Sequence, residues 1–127
     1  MIHKGFCAKI IQRDLRGLYM VKSISEIQKI VNEHRCELKK HNIRITKAIL
    51  YGSYAKGNQK PYSDINLVVI SPDLVQFPSL KRQELLAQWT MNIDAPLEVI
   101  GYTPQEFKKA NNTIFGQIIQ KTGKFLH

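Results

Sequence analysis

The sequence predicts a small α/β or α+β domain, a β-sheet covered by helices, and three observations carry that expectation. Its elements read in the order helix, strand, strand, helix, strand, helix. Its 127 residues, 43% of them hydrophobic, hold apolar material for one core and no more. Its segments rich in β-branched residues are short and end at glycine or proline, whereas its helical stripes open on capping residues.

Each element has a local reason. Ser23 with Glu26 three residues on forms a capping box, and Ile24, Ile27, Val31, His34 and Leu38 follow as an apolar stripe with charges opposite. Ile45 to Tyr51 begins β-branched and runs into Gly52, which predicts a buried strand entering a turn. Ile65 to Ile70 is the second strand. Pro72 and Pro78 bracket a loop, after which Leu80, Leu85, Leu86 and Trp89 predict a helix ending near Asn92. Leu97 to Ile100 is a third strand. Thr103, Pro104 and Glu106 supply the N-cap, N1 and N3 residues of a final helix, with Phe107, Ala110, Ile114 and Ile118 on one face and Gly123 as its stop.

Two regions follow from this division. Residues 20–127 form the domain. Residues 1–19 read as a leader, because Phe6, Ile10, Ile11, Leu15 and Leu18 recur at helical spacing and suit an accessory helix packed on the body or a partner. Lys9 and Arg13 interrupt the apolar stretch a signal peptide needs.

Composition excludes several function classes. The longest apolar run, Leu67 to Ile70, is far short of the roughly 20 residues that cross a bilayer, so no membrane association is expected. Cys7 and Cys36 stand apart with no CxxC pair, which argues against a disulfide scaffold or zinc ribbon and suits a reducing cytoplasm. The net charge of +9 favours polyanionic company. Such company includes nucleotides, RNA or an acidic protein, and the plainer reading is solubility alone; the charge is spread along the chain with no Lys/Arg block interleaved with aromatics, so direct nucleic-acid binding is not expected.

The chemistry-bearing segment lies between the first two strands. Gly52-Ser53 directly after a buried strand lets the chain turn sharply and present backbone N–H groups and a hydroxyl to a phosphate, although the same dipeptide also makes ordinary turns. Asp64 and Asn66 sit two apart at the start of the second strand, so alternation turns both side chains to one face, within ~7 Å of each other. Glu98, two residues into the third strand, joins that face if the two strands are neighbours. Hard oxygen donors in this arrangement suit Mg²⁺, which takes a few carboxylates together with phosphate oxygens and serves phosphoryl chemistry. Lys56 and Lys60 flank the turn and can neutralise phosphates, or else belong to a solvated loop.

Other residues have plainer readings. His34 and His41 lack metal-ligand spacing and read as packing or surface histidines. Tyr54 packs the turn more readily than it stacks a base, Trp89 is core, Asp73 and Asp94 cap or solvate loops, and Cys36 has no His or Asp companion for nucleophilic work.

Gly52-Ser53, ten intervening residues Tyr54 to Ser63, then Asp64-Ile65-Asn66 resembles the minimal nucleotidyltransferases of the DNA polymerase β superfamily, whose hallmark is Gly-Ser, ten residues, Asp-x-Asp. The likeness extends over residues 24 to 122 in element order. It implies the polymerase-β-like fold, with a small mixed sheet, and Mg²⁺- or Mn²⁺-dependent transfer of a nucleoside monophosphate from an NTP, ATP by preference, to a hydroxyl of a macromolecular acceptor. It implies that Gly52 and Ser53 with Lys56 and Lys60 bind the nucleotide, and that Asp64, Asn66 and Glu98 are the catalytic and metal positions. It also implies a place as the antitoxin half of a toxin–antitoxin pair, beside an HEPN-domain partner; a homodimer is a weaker expectation from the exposed ends of the apolar helices.

The departure is Asn66, which stands where the family has its second aspartate. Asparagine keeps a carbonyl oxygen and loses a negative charge, so metal affinity falls and the rate is expected to drop by roughly 10²-fold. The alternative reading is therefore a weakened or inactive member that binds a nucleotide or a partner.

Overall fold

Ser23 caps the first helix in the way its sequence predicts: its Oγ accepts from the Glu26 amide while the Glu26 carboxylate accepts from the Ser23 amide at 2.7 Å. The computed structural model describes residues 23–60 and 63–126. The leader over residues 1–19 and the cysteine within it lie outside these.

Helix α1 (Ile24–Lys39) is followed by β1 (Lys47–Tyr51), the single-turn α2 (Ser53–Lys56), β2 (Ile65–Ile70), a 3-10 helix (Pro72–Gln76), α3 (Ser79–Trp89), β3 (Leu97–Tyr102), α4 (Pro104–Ala110), α5 (Ile114–Thr122) and β4 (Lys124–Leu126). The strands form one mixed sheet in the order β3-β2-β1-β4. β1 runs antiparallel to β2 and β4, and β2 runs parallel to β3. The fold is thus a mixed α/β domain, as predicted.

Alternation along the strands builds two cores. Ala48, Leu50, Ile65, Leu67 and Val69 pack on one face with Ile27, Ile30, Val31 and Leu38 of α1 and Leu86 of α3. Ile49, Val68 and Ile70 pack on the other with Ile119 of α5, flanked by Tyr51, Tyr102, Phe107 and Phe115. The predicted stripe of α1 holds except at Ile24, which is half exposed at the first turn, and Ile30 joins it. Likewise Leu80 of α3 is exposed, and Leu86 carries that helix's contact with the core.

The predicted final helix is two helices. Thr113 breaks it: its amide and hydroxyl both donate to the Ala110 carbonyl, and its Oγ1 accepts from Gly116 N at 3.0 Å, opening α5. Asn111, Asn112 and Thr113 are residues whose side chains compete with helical backbone bonds and favour caps. A side chain at Gly116 would collide with the Ala110 carbonyl, so the two helices meet at that glycine. The break rotates the buried face: Phe115 and Ile119 turn toward the sheet, while Ile114 and Ile118 are exposed. α5 ends at Gly123, the predicted stop, and beyond it the chain adds β4, pairing Leu126 with Ala48.

The outer edge of β3 is closed by side chains of α3. The Gln83 amide donates to the Val99 carbonyl and accepts from the Gly101 amide, as a neighbouring strand would, and Arg82 donates to the Gly101 carbonyl.

His34 is fully buried in α1 with neither ring nitrogen hydrogen-bonded. Burial, with the Arg35 charge beside it, lowers its pKa from 6.5 to about 4. The unfolded chain therefore binds a proton below pH 6.5 that the folded chain refuses until about pH 4, so stability falls as pH falls through that window. At pH 5 the loss relative to pH 7 is expected to be on the order of 2 kcal/mol in urea unfolding. His34→Leu should remove most of that dependence; an unchanged difference between the two pH values would show that another group titrates there.

Candidate functional site

The strand register brings three predicted positions together. Tyr51 is the Cα partner of Asn66 across β1 and β2, and Asn66 is the Cα partner of Glu98 across β2 and β3. Asn66 and Glu98 thus stand side by side on the sheet face that carries α5, at its open end. Asp64 lies one residue before β2, where the Ile65 amide already donates to the Pro96 carbonyl at 2.7 Å and continues the pairing toward β3. By alternation its side chain shares the face of Asn66. Asp64 and Glu98 are exposed and Asn66 is half-buried, so both carboxylates reach water.

The turn that closes on this row is built by Gly52. Its φ of 80° lies in the left-handed region, which a glycine adopts without a Cβ penalty. Its neighbour imposes a second demand: a Cβ there would collide with the Asn66 side chain, the amide nitrogen first. The Gly52 carbonyl accepts from the amides of Ala55 and Lys56, so α2 opens at Ser53 as the phosphate-cradle reading requires. Ser53 is half-buried and Tyr54 is buried in the core, filling the underside of the turn. Lys56 and Lys60 are exposed. Lys60 is tied back to the start of β2, its amide donating to Ser63 Oγ at 2.8 Å and its carbonyl accepting from the Ser63 amide.

Tyr51 belongs to the same row and was not singled out from the sequence, although its place directly before Gly52 was the available signal. Its ring meets Phe115 of α5 edge-on at 5.3 Å. Burial, then the nearby Glu98 charge and Tyr102, push its phenol above the ordinary value. Beside Glu98 an open cleft of about 360 Å³ follows β3, bordered by Gln83, Ala87, Thr90, Leu97 and Ile100. A more apolar groove of about 350 Å³ between α5 and β4, lined by Phe107, Ile119 and Phe125, lies away from this row.

Two carboxylates and an amide carbonyl are hard oxygen donors that suit one Mg²⁺ or Mn²⁺. They supply too little negative charge to share between two divalent ions. Among the described residues, no three His, Cys, Asp or Glu side chains gather as a metal site. His34 is sealed in the core, and His41 stacks on Trp89 at 4.3 Å, in line with their reading as packing or surface histidines. Asp73 accepts from the Arg44 amide at 2.9 Å, a structural bond. Among the described residues, no helix is long and apolar enough to cross a membrane.

The family model of the nucleotidyltransferase domain matches residues 25–122. A Methanocaldococcus jannaschii protein named as a protein adenylyltransferase is 39% identical over 64 residues, covering 48% of this chain and 73% of that protein. A second protein so named from the same organism is 37% identical over 49 residues, covering 39% of this chain and 48% of its own length. The structure of a protein named as a nucleotidyltransferase from Sulfolobus solfataricus aligns with a TM-score of 0.52 at 15% identity, over 80% of this chain and 76% of that one. A toxin–antitoxin structure with AMP-PNP aligns with a TM-score of 0.54 at 22% identity, over 79% of this chain and 72% of that one. The likeness to these two structures is one of fold.

Proposed function

The chain belongs to the nucleotidyltransferase domain family, and from that premise we propose that it transfers a nucleoside monophosphate from an NTP to a hydroxyl on a protein acceptor. The observation that carries this reading is the register Asn66↔Glu98 beside the Gly52 turn, with Asp64 on the same face. Gly52 and Ser53 bind the nucleotide's phosphates, and Lys56 and Lys60 neutralise them. Asp64 and Glu98, with the Asn66 carbonyl, hold a divalent cation. When bound, that cation neutralises charge on the leaving pyrophosphate. The Glu98 carboxylate takes the proton of the acceptor hydroxyl as its oxygen bonds to the α-phosphorus and the bond to pyrophosphate breaks.

Glu98 is exposed and borders an open cleft, which suits an acceptor carried on another macromolecule. The naming of the relatives as protein adenylyltransferases supports ATP as the donor and a protein as the acceptor. Fold likeness to a toxin–antitoxin structure with AMP-PNP supports a protein partner, and the motif's resemblance to the minimal nucleotidyltransferases is what suggests the antitoxin half beside an HEPN-domain protein.

Asn66 favours a second reading, a weakened transferase that retains nucleotide or partner binding. One experiment separates the two: incubation with α-labelled ATP, Mg²⁺ or Mn²⁺ and the proteins that co-purify from the native host, using wild type and Asn66→Asp. Label on a partner with wild type supports the transferase. A silent wild type with label restored by Asn66→Asp supports the weakened member, and no label with either protein ends the transferase reading.

A further inference from the structure

We infer that the neutral amide at position 66 lets this site capture a nucleotide's phosphates without a divalent cation, which leaves the cation a role in transfer alone. This inference rests on the nucleotide site proposed above and adds how that site is regulated. Three observations lead to it.

The first is the position of the amide. Asn66 is the middle member of the row Tyr51, Asn66, Glu98 and is the side chain pressed against the Gly52 turn. The atom nearest the space above Gly52 is its amide nitrogen, a hydrogen-bond donor facing the turn on which the phosphates would rest. The second is the charge balance. Lys56 and Lys60, close to the turn in sequence, are exposed, and among the described residues neither makes an ion pair. The third is exposure. Asp64 and Glu98 both stand in water, where their repulsion of an anion is screened, while position 66 is half-buried and closest to the turn.

A carboxylate at position 66 would put a partly buried, less screened negative charge against the phosphate tail and would need a cation between them. An amide donates to the same oxygens and imposes no such need. The side chain that weakens metal binding is therefore the one that frees nucleotide binding from the metal.

Calorimetric titration of the full chain with ATP, in EDTA and in Mg²⁺, tests this. Wild type is expected to bind with a Kd that differs by less than about threefold between the two conditions. Asn66→Asp should bind at least about tenfold more weakly than wild type in EDTA and recover in Mg²⁺. Asn66→Ala, which removes the donor without adding charge, should weaken binding about fivefold in both conditions, and it keeps the test decisive should Asn66→Asp fail to fold. Wild-type binding that appears only with Mg²⁺ overturns the inference and leaves the nucleotide site standing, as does Asn66→Ala binding as tightly as wild type in EDTA. No ATP binding in either condition overturns the nucleotide site itself.

Discussion

Asp64→Ala is expected to lower label transfer by about 10³-fold while leaving the thermal midpoint unchanged. The two halves of that expectation have separate causes. Asp64 is exposed one residue outside β2, so its truncation leaves no cavity and strands no buried partner, and a surface change of that kind is worth about 0.5 kcal/mol or less. In the proposed reaction, however, its carboxylate is one of two that hold the cation, and with position 66 an amide, Asp64→Ala would leave Glu98 alone against the cation and the developing charge on the phosphates. Asp64→Asn should fail nearly as badly, because it keeps the shape and loses the charge, and that distinguishes an electrostatic role from a packing one. If the wild type is silent, the same comparison is made in the Asn66→Asp background. Transfer within about threefold of the parent in Asp64→Ala would remove these residues from the reaction.

What the sequence made legible here, and what it did not, divides by range. Ser23 with Glu26 and Thr103 with Glu106 encode their helix starts within four residues, and both capping boxes form. Leu67 to Ile70 is the longest apolar run, Ile65 extends it across Asn66, and the strand has the bounds Ile65–Ile70. The break at Thr113 was hidden because Phe107, Ala110, Ile114 and Ile118 also satisfy one continuous helical spacing; the capping bonds of Thr113 and the contact at Gly116 decide against it. β4 is three residues long, and only its pairing with Ala48, Ile49 and Leu50 makes it a strand. At the candidate site, alternation is the argument that puts Asp64 on the face of Asn66. That Glu98 stands directly beside Asn66 depends on a parallel register set by the chain between, through the 3-10 helix and α3. The clash of any Gly52 side chain with Asn66 is a tertiary fact that the spacing alone does not contain.

The same long-range logic applies to Arg82, for which the sequence carries no local signal. In the fold it is 3% exposed and fixes three segments at once. Its Nη2 donates to the Phe77 carbonyl at 2.9 Å and its Nη1 to the Gly101 carbonyl at 3.2 Å, while the same two nitrogens form a fork on the Glu106 carboxylate. Glu106 in turn caps α4 by accepting from the Thr103 amide at 2.9 Å. Arg82→Ala therefore strands two carbonyls, unlocks the edge of β3 and detaches α4 from α3. The expected cost is about 4 kcal/mol, or roughly 15 °C in thermal midpoint for a domain of this size. Arg82→Lys should recover less than half of it, since an ammonium cannot reproduce the fork. Acid titration gives an independent reading. The Arg82 hydrogen bond, reinforced by Thr103 and opposed by partial burial, holds the Glu106 carboxyl below its ordinary value of 4.5. That contribution is whole above pH 4.5 and is lost as pH falls through the depressed value. Arg82→Ala should flatten the stability profile below pH 4.5 as well as lower it throughout. A variant that melts within about 3 °C of wild type with the acid slope intact would show that the guanidinium is held by the fold without holding it.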